Sequence, residues 1–104
     1  MAQGILYVET RPSSPDREAE YNEWYDQVHL RQVIGLDGFV SARRLAAVND
    51  DGPYVALYEI EAEDLQAVAD ELMAFAQAGG FDMSESMQSD PMPLVRLLRV
   101  ITSV

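Results

Sequence analysis

The chain has no cysteine and no lysine, and only one histidine and one tryptophan in 104 residues. Without cysteine there are no disulfides, thiolate metal sites, iron–sulfur clusters or thiol nucleophile. Without lysine there is no side-chain amine for Schiff-base chemistry and no P-loop lysine to touch phosphates. Positive charge is scarce too: 7 arginines face 18 acidic residues, for a formal net charge of -11. Nucleic acid and anionic membranes both need a basic surface, so neither is expected as a partner. No stretch approaches the ~18–20 apolar residues of a membrane span. The apolar run from Ile5 to Val8 is too short for a signal core and has no basic region before it. A soluble, cytoplasmic protein is the expectation. A metal site would have to rest on carboxylates around His29. Asp26 stands three residues before it, but acidic residues are so common here that no metal is expected. No Ser-His-Asp arrangement, Gly-rich phosphate loop or redox motif occurs, so no cofactor is expected either.

What is present is 48% apolar residues, too many for a disordered acidic tail. The length suits one domain, residues 1–104, with a single core. Residues 4–10, GILYVET, read as a strand. Ser14-Pro15 marks a helix start, with serine as cap and proline at the first position. Tyr21, Trp24, Tyr25 and Val28 then recur at helical spacing, and Gly35 and Gly38 end the pattern. Residues 39–48 and 54–61 read as strands joined at Asn49-Asp50-Asp51-Gly52, a hairpin. Asp64 is the N-cap of a second helix, which Gly79-Gly80 stops. A long loop comes next, and residues 94–103 form a last strand.

The order β-α-β-β-α-β is that of the ferredoxin-like fold, an α+β four-stranded antiparallel sheet with two helices on one face. Apolar residues fall on both faces of the strands: Ile5 and Tyr7 alternate with Leu6 and Val8. A solvated face would alternate with polar residues. A second copy of the sheet would cover it, so a homodimer is expected.

Chemistry concentrates between Glu20 and Leu30. At 100° per residue, Tyr21, Trp24 and Val28 share one face, and Glu18, Asn22, Tyr25 and His29 form a stripe along its rim. His29 is the best candidate for moving a proton near neutral pH; the competing role is to favour the negative end of the helix dipole. Tyr25 is one turn earlier and could share a hydrogen bond with His29 or a ligand. Trp24, Tyr7 and Phe39 are candidates to wall a pocket, or simply core. Arg43 and Arg44 are adjacent in a strand and point to opposite faces. Arg43 is taken as a candidate for binding a substrate carboxylate or enolate, against the plainer reading of a cross-sheet salt bridge to Glu9 or Glu59. Phe81, Met83, Met87 and Met92 make the long loop either a lid over an apolar pocket or a segment wrapping the dimer partner.

The run Glu20-Tyr21-Asn22-Glu23-Trp24-Tyr25-Asp26-Gln27-Val28-His29-Leu30, followed by Gly38-Phe39-Val40-Ser41-Ala42-Arg43-Arg44, resembles the dimeric α+β barrel superfamily, and within it the EthD-like branch. The chain departs from that pattern at Leu30-Arg31, where relatives often carry a proline soon after the histidine, and at Asp37, where a proline is common. The resemblance implies a homodimer whose sheets join into a barrel, and a ligand cavity between sheet and helices. It carries over His29 as the functional residue, with Trp24 and Tyr25 beside it. Members include cyclases, cofactor-free monooxygenases, haem-degrading enzymes, isomerases and lyases, so the fold leaves the reaction open.

The leading expectation is a cofactor-independent enzyme of proton-transfer type, a cyclase, isomerase, dehydratase or lyase. It would act on an apolar, oxygenated small molecule, with His29 as general acid or base and Tyr25 at a developing oxyanion. Asn22 and Arg43 complete the candidate site. One alternative is a cofactor-free monooxygenase. Another is a non-catalytic protein binding a hydrophobic ligand, haem included, with His29 as its axial ligand.

Overall fold

A computed structural model describes residues Met1–Val104. Four strands, β1 (Ala2–Thr10), β2 (Phe39–Leu45), β3 (Tyr54–Ala62) and β4 (Leu94–Arg99), form one antiparallel sheet in the order β2-β3-β1-β4. Between β1 and β2 runs a helical rod: a 3-10 turn (Pro15–Arg17), then α1 (Glu18–Trp24), a π-helical segment (Tyr25–His29) and α2 (Leu30–Ile34). Helix α3 (Leu65–Gln77) and the segment 78–93 lead from β3 to β4. This is the expected ferredoxin-like α+β fold. No helix is long and apolar enough to cross a membrane.

Period-two alternation decides which strand residues meet the helices. Leu6 of β1 and Ala56, Tyr58 and Ile60 of β3 are buried against Tyr21, Tyr25 and Val33 of the rod and Val68 of α3. Asp64 caps α3 as expected, its Oδ1 accepting the Ala67 N–H at 3.1 Å. Ser14 does not cap with its side chain. There the rod begins as a 3-10 turn, and the Ser14 carbonyl itself accepts the Arg17 N–H at 3.1 Å.

The rod departs from a uniform 100° helix at its centre. The N–H of Leu30 reaches back to the carbonyl of Tyr25, five residues earlier. That wider turn shifts the phase of the residues beyond it. Tyr25 is fully buried together with Tyr21, whereas Trp24 and Val28 are only half-buried. At the far end, Gly38 has φ of 95° and passes so close to α3 that a Cβ there would lie 2.7 Å from Val68 Cγ2. Only glycine meets both conditions.

Strand β2 carries a register irregularity between Phe39 and Ser41. Phe39 faces the helices, but after the bulge the inward positions are Ala42 and Arg44 rather than Ser41 and Arg43. Strand β2 is also shorter than expected, ending at Leu45, before a turn in which Asp50 Oδ1 accepts the Gly52 N–H at 2.8 Å; β3 runs one residue longer, to Ala62, and β4 stops at Arg99 rather than at 103. The outer sheet face presents Ile5, Tyr7, Val55, Leu57, Leu94 and Leu98, flanked by Arg43 and Arg96.

Candidate active site

Between the sheet, the rod, α3 and the segment 78–93 lies a cavity of about 160 Å³. Leu6, Val8 and Thr10 come from β1, Tyr58 from β3, Tyr25, His29 and Val33 from the rod, and Leu72 and Ala76 from α3. Phe81, Met83, Met87 and Pro93 close it from the long segment, with Val95 of β4. That segment is tied down on both sides. The Trp24 indole N–H donates to the Asp82 carbonyl at 2.7 Å, and Gln32 exchanges hydrogen bonds with the Asp82 carboxylate (2.9 Å) and N–H (3.0 Å). Further on, the Ser13 N–H donates to the Ser86 carbonyl at 2.6 Å and the Gln88 N–H to the Arg11 carbonyl at 2.8 Å. Phe81 thereby becomes core, although nothing periodic surrounds it in the sequence.

His29 sits within a cage of rings. It stacks on Trp24 at 4.9 Å between centroids, and meets Tyr25 at 5.0 Å and Phe81 at 5.3 Å edge-on. Its Nδ1 is buried and has no hydrogen-bond partner. Burial disfavours the charged form and lowers its pKa from 6.5 to about 4. At neutral pH the group is therefore an uncharged imidazole, able to accept a proton. Burial likewise raises the pKa of Tyr21, Tyr25 and Tyr58 above the ordinary 10, so these phenols stay protonated. The Tyr58 hydroxyl is buried without a partner, while the Tyr21 hydroxyl bonds Thr10 Oγ1.

Arg44 braces the rod from β2. Its guanidinium reaches Asp26 Oδ1 and Asn22 Oδ1, each at 2.9 Å. The same group lies over the rings of Tyr25 (4.5 Å), Tyr54 (5.1 Å) and Tyr21 (5.3 Å). It therefore spans α1 and the π segment and fixes the position of Tyr25.

The expected site residues fall into three groups. His29 and Tyr25 line the cavity. Trp24 backs His29, Asn22 holds Arg44, and Phe39 packs edge-on against Tyr58 at 6.1 Å; none of the three lines the cavity. Tyr7 and Arg43 point to the outer face, where Tyr7 donates to Glu9 Oε2 at 2.9 Å and Arg43 stands opposite Leu57. For Arg43 the cause is the β2 bulge, which exchanges its facing with that of Arg44. The expected bridges from this arginine pair to Glu9 or Glu59 are replaced by the Arg44–Asp26 pair. Tyr58, read from the sequence as pocket wall or core, and Arg44, the other member of the arginine pair, were not among the expected site residues. Tyr58 had a usable signal, its two-residue spacing from Ala56 and Ile60, but this marks only a buried face. Asp26 is engaged by Arg44, and no three histidine or carboxylate groups come together as a metal site.

No family model and no curated protein sequence matches the chain. Solved structures do. A putative monooxygenase from Shewanella loihica PV-4 is 18% identical, with a TM-score of 0.61 over 98% of this chain and 97% of that one. A mutant of MhuD, with two manganese protoporphyrin IX molecules bound per active site, is 16% identical, with a TM-score of 0.67 over 97% of each chain. The ActVA-Orf6 monooxygenase of Streptomyces coelicolor, in complex with Nanaomycin D, is 16% identical, with a TM-score of 0.60 over 99% of this chain and 91% of that one. At such identities the likeness establishes the fold: this chain shares the ferredoxin-like α+β architecture of these monooxygenase-type structures.

Proposed function

We propose that the protein is a cofactor-free monooxygenase acting on an electron-rich, hydroxylated aromatic. The observation that carries this reading is a neutral, buried imidazole held by aromatic rings at the wall of an apolar cavity. Two of the structural neighbours are described as monooxygenases, which supports it by analogy. In this reading His29 takes the hydroxyl proton of the substrate. The resulting electron-rich ring carbon forms a bond to dioxygen. The protonated imidazole returns its proton to the terminal oxygen, and loss of the ring hydrogen with cleavage of the O–O bond releases water. A phenol-type C–H becomes a quinone carbonyl. One oxygen atom enters the product and the other leaves as water, with every electron supplied by the substrate. Tyr25 and Tyr58, protonated throughout, offer hydrogen bonds to the developing oxyanion. Oxygen uptake on adding a dihydroxybenzene, with no flavin or metal supplied, tests the reading. His29→Ala is expected to lower that rate at least ~100-fold. Turnover that continues without oxygen would replace it with the proton-transfer reading, in which the same neutral imidazole serves as base in an isomerase or lyase.

The active form is proposed to be a homodimer. The accessible surface of the single chain is 6898 Å², whereas a monomer of this mass should expose about 5,800 Å². The excess, about 1,100 Å², is larger than the ~800 Å² that each partner buries in a standard interface. Leu94, Leu98 and Ile101, on or beside the outer sheet face, are among the exposed apolar residues. Pairing through that face gives the barrel of the dimeric α+β barrel superfamily. The Trp24-Tyr25-x-x-x-His29-Leu30 run supports placement in its EthD-like branch.

A further inference from the structure

We propose that the ligand of the His29 cavity is a monocyclic aromatic carrying an uncharged hydroxyl, gripped at that hydroxyl by Tyr58 and His29. The inference rests on the proposed role of this site but not on oxygen chemistry. Its first support is size. The cavity measures about 160 Å³. An apolar cavity of about 150 Å³ takes benzene, whereas drug-sized ligands occupy roughly 300–1,000 Å³. A single ring fills the space; a fused polycycle or a porphyrin would have to extend beyond it.

The second support is the distribution of unspent hydrogen bonds. Leu6, Val33, Leu72, Phe81, Met87 and Val95 contribute only apolar surface to the wall. Among the polar lining residues, Thr10 is engaged by Tyr21. Tyr25 borders the space as well, its hydroxyl beside that of Tyr58. The polar atoms buried without a partner of good geometry are the Tyr58 hydroxyl and His29 Nδ1. Buried polar groups are rarely left this way, because each one costs free energy. The cavity is the space that both residues border. One ligand hydroxyl satisfies the two together, donating to the imidazole nitrogen and accepting from the Tyr58 O–H.

The third support is charge. A carboxylate would need a cation, and none lines the cavity. The nearby guanidinium of Arg44 is already committed to Asp26 and Asn22. The ring therefore carries a neutral hydroxyl rather than an acid.

The single tryptophan stacks on His29, so its fluorescence reports occupancy of the cavity. Titrations with phenol, benzene, benzoate, 2-naphthol and iron protoporphyrin IX test the proposal. Phenol is expected to bind about tenfold tighter than benzene, the worth of one good hydrogen bond, and tighter than the other three. Tyr58→Phe should bring phenol close to benzene while leaving benzene unchanged. His29→Gln, whose side-chain amide can still accept, should retain part of the preference, and it serves if the tyrosine variant fails to fold. Equal binding of phenol and benzene overturns the proposal, as does tighter binding of benzoate, naphthol or the porphyrin. Phenol binding without oxygen uptake would sink the oxygenase reading alone. Oxygen uptake with a fused polycycle that outcompetes phenol would sink this proposal alone.

Discussion

The imidazole of His29 is enclosed by Trp24, Tyr25 and Phe81, with no charged partner among them. Desolvation is therefore free to lower its pKa from 6.5 to about 4. The unfolded chain then binds a proton between pH 6.5 and 4 that the folded chain refuses. Stability is unaffected above pH 6.5 and falls as the pH drops through that window. The loss approaches about 3 kcal/mol, the upper limit set by the size of the shift. Acid denaturation of wild type against His29→Gln should show it: the variant lacks this component, and the difference between the two should grow from pH 6.5 to pH 4. The carboxylates titrate in both proteins and cancel in the comparison. If the two curves stay parallel, His29 is not desolvated. The same value sets the catalytic profile. If His29 is the base, kcat/KM should be flat from about pH 5 to 8 and decline only near pH 4. An acid limb at 6.5 would mean that the imidazole is wet.

At the scale of elements, the site depends on a π segment in a rod that is otherwise α-helical or 3-10. Such segments are rare because their hydrogen bonds are poorer, and something must hold the wider turn in place. Arg44 is placed to do so, joining Asn22 on α1 to Asp26 in the π segment across the face of Tyr25. Arg44→Gln is expected to cost about 1–2 kcal/mol in chemical denaturation, since Asp26 is largely solvated and cation–π contacts are modest. A brace has a further signature. With the π segment relaxed, His29 turns toward solvent and its pKa, monitored by NMR, rises toward 6.5. A stability loss with an unchanged His29 pKa would reduce Arg44 to a packing residue. The turn before β2 offers an independent check on the fold. Gly38→Ala would force a side chain into a positive-φ position 2.7 Å from Val68 Cγ2. A loss of about 2 kcal/mol or more in urea denaturation is expected, and a loss below 0.5 kcal/mol would contradict the close approach of this turn to α3.

Across the whole molecule, the imbalance is between a small core and a large apolar surface. Only 14 of 104 residues are buried in the single chain, while Leu45, Leu94 and Leu98 are exposed around the outer sheet face. Light scattering should therefore return about twice the 11.6 kDa chain mass. Leu57→Asp, at the middle of that face, should convert the protein to monomer with its secondary structure intact. A wild-type protein that stays monomeric at high concentration would rule the dimer out.

Local pattern alone determined much of this protein. Strand alternation, helical spacing and the Asp64 cap specify the order of elements and hence the fold, because each rests on residues a few positions apart. The placement of the histidine after the aromatic run was legible for the same reason, as was the apolar character of both sheet faces. The tertiary structure decided what depends on distant partners or on a one-residue change of phase. The bulge after Phe39 turned Arg44 rather than Arg43 toward the rod, a reversal that alternation cannot foresee. Tyr21 and Tyr25 went into the core while Trp24 and Val28 stayed half-buried, a choice between neighbouring helix faces that spacing alone leaves open. The segment 78–93 has no period to read, and it became a cavity wall only through Asp82 meeting Trp24 and Gln32 more than forty positions away in the chain. Tyr58 and His29 became a pair of unsatisfied groups for that reason too: an unpaired hydrogen bond is a property of three-dimensional surroundings, and no spacing along a chain records it.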